Sequence, residues 1–329
     1  MTIEYWQDVD DSVWVQLAER CEYATFFNTP DWFHLAKDLV SGSEIKIIGG
    51  QTSQGTQFVL PVAVEKQMGP FYRLTSSLNG VYGGIIADGP LAECECQQIY
   101  QNLVEKWRVL TYTFTPSPLR HISTGLSRFS EMNDKTYLIA LSPGYEEIYR
   151  NYSRGHKSAV NKAIKSDVQV EVTTALEDYR AYYQVYKDSL DRWGETFFGY
   201  TLPWSFFERI HGLALQKPDN VKLWVARLGN EVISGAVVLY WQKCVNYFHG
   251  ANHRDYFNYR AANLVQNEII KHAAQPEFNF ATYDFGPSGI ESLYEFKRRF
   301  GGEELPTQYF SYSHPLFNAY NNLRAKLPH

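Results

Sequence analysis

Two apolar runs, VKLWVARL at 221–228 and EVISGAVVLYW at 231–241, meet at Gly229-Asn230, and this pattern limits the fold more than any other. Apolar runs joined by such a dipeptide are the signature of a β-hairpin. CVNYFHGA at 244–251 reads as a further strand, Tyr259 to Ala274 as an amphipathic helix, and 176–215 as two or more helices. The first half gives a similar order. Helical material over 10–38 (Trp14, Leu17, Ala18, Cys21, then Trp32, Leu35, Ala36) precedes IKIIGG, a turn at Ser53-Gln54-Gly55 and the strand QFVLPVAVEK. A repeated order in 329 residues, more than one core usually supports, predicts two similar domains. The expected class is α/β (α+β), each domain a mixed, mostly antiparallel sheet flanked by helices. The expected division is 1–141, 142–312 and a closing helix over 313–329 that returns to the first domain.

The segment FATYDFGPSGIESLYEFKRRFGG, 280–302, runs from a strand through a glycine loop into a short helix. Ile290, Leu293, Phe296 and Phe300 recur at helical spacing and form the face expected to be buried, with Lys297 on its edge. Two readings of Lys297 stand. A cation in a half-buried cleft would act strongly on developing negative charge, whereas a snorkelling lysine would cover apolar surface with its stem and keep its ammonium in water. GPSG at 286–289 is expected to present backbone N–H donors at the helix start, and Gly301-Gly302 to close the helix.

YEEIYRNYSRGHKSAVNKAIKSD concentrates Arg150, Arg154, His156, Lys157, Lys162 and Lys165 in a chain of net charge −5. It is either a solvated helix face or a footprint for a phosphorylated substrate, a coenzyme or an RNA end. The negative net charge argues against a general nucleic-acid coat. The 24 tyrosines suit either aromatic cores or ring-lined clefts. Cys21, Cys94, Cys96 and Cys244 lack metal-ligand spacing and read as reduced thiols, so no metal is expected. The polar start MTIEYWQDVDD and the lack of a long apolar run give the cytoplasm as the expected compartment, with no transmembrane segment. G-x-S-x-G, Walker, HExxH and CxxC motifs are all missing, which leaves serine hydrolase, P-loop and zinc chemistry unsupported.

The strings NTPDWFHLAKD, SLNGVYGGIIADGP, RNYSRGHKSAVNKAIKSDVQVEV, DRWGE, VNYFHGA and YDFGPSGIESLYEFKRRFGG resemble the Fem-type superfamily of GNAT-like acyltransferases. The resemblance covers most of the chain in order, and FK followed by FGG is its most specific element. It implies two tandem GNAT-like domains, an acceptor groove between them and a donor channel on the second. In the aminoacyltransferase branch the lysine of the FK pair is implicated in stabilising charge during acyl transfer, which points to Lys297 beside Phe296. A diphosphate clamp maps onto Lys37 after Trp32 and Arg192 in DRWGE, both of which read equally well as surface charge. Tyr82, Gly83 and Gly84 match a loop facing the acceptor, and Tyr247 to Gly250 a strand ending at the cleft.

The chain also departs from the bridge-forming enzymes of that group. No coiled-coil arm fits within 176–215, and RDYFNYRAAN has no glycine where a GNAT domain carries its pyrophosphate loop, which puts ordinary acetyl-CoA binding there in doubt. Candidate donor-binding residues are Arg154, Lys157, Arg254, Arg260, Gly286 and Ser288. Acyl transfer needs a base, for which Asp284 and His249 are candidates; equally, Asp284 reads as a cap on the loop and His249 as a hydrogen-bonded filler.

Three functions follow, in this order. The first is acyl transfer from acyl-CoA, as co-substrate, to an amine of a small-molecule or nucleotide-linked sugar acceptor of the envelope or of polysaccharide. The second is an aminoacyl-tRNA-dependent bridge transferase, which the basic helix favours and the net charge does not. The third is a non-catalytic relative that binds the ligand.

Overall fold

A computed structural model describes residues 3–7, 9–40, 42–67, 69–120, 126–193 and 201–324. The chain divides into two units, Met1–Asp134 with Pro306–His329, and Lys135–Leu305.

In the second unit the hairpin is β9 (Val221–Leu228) and β10 (Glu231–Trp241), paired from Glu231↔Leu228 to Leu239↔Val221, with Gly229 at φ +59° in the turn. β10 is buried from Val232 to Trp241, which explains its unbroken apolar run: helices cover both of its faces. α6 (Leu176–Trp193) lies on one side, where Tyr182 packs so closely that a Cβ at Gly235 would sit 2.8 Å from its ring. On the other, Leu264, Val265 and Ile269 of α8 (Ala261–Ala273) share a core with Ala236, Val238 and Tyr240. α5 (Arg154–Lys165) adds Val160 and Ala163 to that core. α4 (Tyr145–Asn151) precedes α5, and α7 (Trp204–Gln216) brings Phe206 and Phe207 to the aromatic side near Tyr182.

The sheet of this unit runs β7-β12-β11-β10-β9-β8, with β7 (Ser130–Ala140) entering through 135–140, β8 (Gln169–Thr173) at the far edge, β11 (Cys244–Asn252) and β12 (Thr282–Asp284). Only β11 and β12 are parallel, joined through α8 as a parallel pair requires. They pair at Cys244↔Thr282, Val245↔Tyr283 and Asn246↔Asp284. Beyond that point β12 ends, while β11 continues with Phe248 as an extra residue between the pairs Val238↔Tyr247 and Val237↔His249. A bulge bends its strand, and the ladder between β11 and β12 stops at Asn246↔Asp284.

The first unit repeats the plan. Its sheet runs β1 (Ile3–Tyr5), β2 (Ser43–Thr52), β3 (Gln57–Lys66), β4 (Tyr72–Thr75), β6 (Val109–Phe114) and β13 (Glu303–Ser313, through 306–313), with β5 (Ile86–Ala87) on β3. Again one neighbouring pair is parallel, β4 with β6, connected through α3 (Glu93–Lys106). Ile99, Tyr100 and Leu103 of α3 pack into a core with Leu60, Tyr112 and Phe114. α1 (Asp11–Arg20) and α2 (Pro30–Ala36) start on N-caps Asp10 and Thr29, and α10 (Pro315–Arg324) belongs to this unit. The four cysteines are free, and among the described residues no helix is long and apolar enough to cross a membrane.

Candidate active site

The strand, loop and helix of 282–300 form one hydrogen-bonded device in the second unit. β12 ends on Asp284, whose Oδ1 accepts from Thr136 Oγ1 (2.7 Å) and from the Gly286 N–H (2.8 Å), while Oδ2 accepts from Asn246 Nδ2 (3.2 Å). Gly286 at φ +68° and Gly289 at φ +63° turn the loop through a region that favours glycine. The Ser288 and Gly289 N–H groups donate to Tyr294 Oη at 3.1 and 2.8 Å. Lys297 on α9 (Glu291–Arg298) donates from Nζ to the Gly286 carbonyl at 2.6 Å. One residue, Gly286, thus links the Asp284 carboxylate to the ammonium, its N–H donating to the first and its carbonyl accepting from the second.

Two expectations are corrected here. α9 does not bury Ile290 and Leu293, which are 42% and 41% exposed; it buries Tyr294 and Lys297, the latter 5% exposed, with Phe300 just beyond. Ile290 is the N-cap, with extended backbone at φ −125°, so spacing counted from it is not helical. Lys297 therefore does not snorkel. The loop donors also differ from expectation: the amides of Gly286, Ser288 and Gly289 point inward to Asp284 and Tyr294, and Pro287 has none. Ser288 Oγ is buried without a hydrogen-bond partner.

The FGG element is a packing hub. Gly301, at φ +77°, lies where a Cβ would be 2.9 Å from the Asn151 carbonyl oxygen, and a Cβ on Gly302 would be 3.2 Å from that of Tyr137. Phe296 and Phe300 clamp His156 of α5 at ring separations of 5.1 and 4.4 Å. His156 Nε2 donates to the Phe296 carbonyl (3.0 Å), the Ser153 N–H donates to the Arg299 carbonyl (2.8 Å), and burial pushes the imidazole pKa down to about 4.

Neither candidate base has the setting of one. Asp284 is buried and engaged on both oxygens. His249 Nδ1 lies 2.6 Å from Tyr182 Oη, and burial pushes its imidazole down to about 3 and the Tyr182 phenol far up. Nδ1 is thus engaged within the protein by a phenol that stays protonated, and the imidazole is held neutral.

Tyr247 is the next residue of β11 after the β11–β12 ladder stops: its carbonyl is 3.8 Å from where a Gly286 Cβ would sit. Its hydroxyl fills the place of a Gly250 side chain, and burial pushes its pKa up to about 12. On the outer side of α5, a groove of about 500 Å³ is lined by Arg154, Lys157, Asn161, Lys162 and Lys165. Lys157 Nζ donates to the Arg150 carbonyl (2.8 Å) and lies near the Tyr149 ring, and Arg150 pairs with Glu147. Arg254 is held by Asp188 at 2.5 Å. Arg260, exposed and left-handed at φ +60°, precedes α8 directly after the turn of 3₁₀ helix over Arg254–Tyr259. Arg192 donates to the Asn252 carbonyl (3.1 Å) and stacks on Phe257, while Gly194 and Glu195 of DRWGE lie outside the described residues.

In the first unit Lys37 ends α2, half-buried. Tyr82, Gly83 and Gly84 are buried rather than presented to a ligand: a Cβ on Gly83 would sit 1.8 Å from the Ser76 carbonyl oxygen. Sequence reasoning missed Tyr294, Thr136, Asn246 and His156 as the supports of the site. Asn246, polar in the apolar strand CVNYF, was the one with a signal.

Residues 149–298 match the family model of an acetyltransferase (GNAT) domain, and that span holds α5, β11, β12, the loop and Lys297. The second unit is therefore similar to a GNAT acetyltransferase domain over that span. No curated protein matches the sequence. Among solved structures, the crystal structure of FemX is similar over 97% of this chain and 99% of its own, at 14% identity and a TM-score of 0.74. The C-terminal domain of a putative lysylphosphatidylglycerol synthetase from Agrobacterium fabrum aligns over 94% and 96%, at 12% identity and a TM-score of 0.57. A tandem GNAT protein from the clavulanic acid biosynthesis pathway aligns over 94% and 98%, at 10% identity and a TM-score of 0.53. At such identities the likeness is one of fold, and the fold is a Fem-like tandem GNAT. Among the described residues no group of three or more His, Cys, Asp or Glu side chains could hold a metal ion.

Proposed function

We propose that the protein is an N-acyltransferase that moves an acyl group from a thioester donor of the coenzyme A type to an amine of an amino sugar or another envelope or polysaccharide precursor. The observation that carries this reading is the buried Lys297 ammonium, fixed on the Gly286 carbonyl beside the point where the β11–β12 ladder stops. In this reading the amine attacks the thioester carbon, the carbonyl oxygen becomes an oxyanion, and the C–S bond breaks as the thiolate leaves. The inward-turned loop amides cannot meet that oxyanion, so Lys297 is assigned to it. At roughly 4 Å and an effective dielectric near 20, a unit charge contributes about 4 kcal/mol. Asp284 positions the loop, and the amine loses its proton to solvent. Arg154 and Lys157 of α5 and Arg260 before α8 are assigned to the donor's phosphates.

A second reading, with aminoacyl-tRNA as donor, is favoured by the basic groove on α5. Arg154 to Lys165 spans about 16 Å of helix, more than one diphosphate needs. Lys297→Met tests the catalytic assignment. Loss of turnover by a factor of about 10²–10³ in a folded variant is expected; unchanged turnover would retire the role assigned to Lys297, and no turnover by the unaltered protein with any donor would leave the reading of a ligand-binding relative. Thermal-shift measurements with acetyl-CoA, longer acyl-CoAs, UDP-sugars and tRNA separate the donors, since a ligand that selects the folded state raises its apparent stability.

A further inference from the structure

The first unit has a groove of about 630 Å³ between the open end of the β2–β3–β4 sheet and the C-terminal end of α3. Its walls carry Lys46, Lys66, Lys106 and Arg108 around the side chains of Tyr72 and Trp107. Four cations against one carboxylate, Glu44, leave a local charge of +3 in a chain of net charge −5. Glu44 is paired with Lys46 at 3.0 Å, and the next acids along the chain, Glu65 and Glu105, are taken by Arg73 and Arg128. Lys66, Lys106 and Arg108 make no ion pair among the described residues. Tyr72 and Trp107 each rest on the core of the unit with one part and remain half-exposed with the other.

Arg108 supplies an independent observation. It is the residue after the α3 cap, at φ +48°, the left-handed position that helices commonly fill with glycine. An arginine strained there, beside the groove, is retained at a cost to stability. Lys106 and Arg108 could both be explained as cations at a helix C-terminus. Lys66, on β3, could not.

We infer that this groove binds a phosphorylated nucleobase: the base stacks on Trp107 and Tyr72, and the phosphates meet Lys66, Lys106 and Arg108. Aromatic faces framed by cations are how proteins hold nucleotides and single-stranded ends without reading sequence. The shared chemistry fits either a free nucleotide or the exposed end of an RNA. The inference does not depend on the acyl-transfer reading, because its test measures binding and not turnover.

The test is calorimetric titration of the full chain with ADP, UDP, a five-nucleotide RNA and inorganic pyrophosphate, on the unaltered protein and on Arg108→Gly, Lys66→Glu and Trp107→Leu. Arg108→Gly relieves the backbone strain, so its Tm should rise while affinity for the base-bearing probes falls about tenfold. Lys66→Glu should lower affinity for every probe that binds. Trp107→Leu should weaken the base-bearing probes and spare pyrophosphate. Lys297→Met should bind all of them as the unaltered protein does. Tighter binding of RNA than of ADP or UDP identifies the RNA end, and the reverse order the free nucleotide. Affinity unaltered in Arg108→Gly and Lys66→Glu, pyrophosphate bound as tightly as the nucleotides, or no binding of any probe overturns the inference.

Discussion

The link between α5 and the lysine-bearing helix should be acid-labile, because His156 is held neutral where it joins them. Its pKa falls from 6.5 to about 4, first through desolvation and further through the guanidinium of Arg299, the residue that caps α9, opposed by its hydrogen bond to the Phe296 carbonyl and by Glu295. The folded pKa is the lower one. Between these values the unfolded chain takes up a proton that the folded chain refuses, so stability is constant above about pH 6.5 and falls as the pH drops toward 4. Integrating over that window gives a loss of about 2 kcal/mol by pH 5 and about 3 kcal/mol by pH 4. His156→Gln keeps a donor near the position of Nε2 and removes the titration. Urea unfolding at several pH values should show the variant less stable near pH 7, through lost packing on Phe296 and Phe300, yet with a pH dependence shallower by about those amounts. Parallel curves for the two proteins would refute the assignment of a neutral, buried imidazole.

Tyr294→Phe removes the acceptor of two loop amides, and a loss of about 2 kcal/mol in unfolding free energy is expected, with turnover falling as the Gly286 carbonyl loses its place under Lys297. Asp284→Asn should destabilise the protein and lower kcat yet preserve the shape of the pH–rate profile; disappearance of its acidic limb would restore Asp284 as the general base. Gly83→Ala places a Cβ against the Ser76 carbonyl, and a cost of more than about 3 kcal/mol should appear as loss of the folded first unit in circular dichroism and proteolysis.

The hairpin over 221–241 was legible because turn chemistry and apolar pattern agree locally, and the loose repeat because each half contains a parallel pair that needs a helical crossover. Lys297 was legible as a charge out of place. Its surroundings were not. Periodicity counted Ile290 as part of a helix that begins one residue later, and this moved the apparent apolar face toward 290 and 293. The amides of GPSG looked available because their acceptor, Tyr294 Oη, becomes their neighbour only when α9 folds back on the loop. Asp284 could be read as base or cap from sequence alone; Thr136, 148 residues away, and Asn246 complete the cap and belong to strands that only the sheet brings together.

The exposures along α9 bear on why the lysine is there. A two-turn helix that leaves Leu293, and Ile290 at its cap, about 40% exposed while enclosing an ammonium reverses the order in which side chains leave water. Enclosing a cation costs several kcal/mol unless its partners return it, and Met at 297 would fill similar space at none of that cost. Filling space therefore does not by itself call for a lysine at this position. The surrounding contacts nonetheless fix it: the Gly286 carbonyl on Nζ, Asp284 on the Gly286 N–H, Tyr294 under the next two amides, and the His156–Phe296 bond against the helix from behind. On the proposed acyl transfer, a charge held from several sides suits electrostatic preorganisation, since a group already in place need not reorganise when an oxyanion forms.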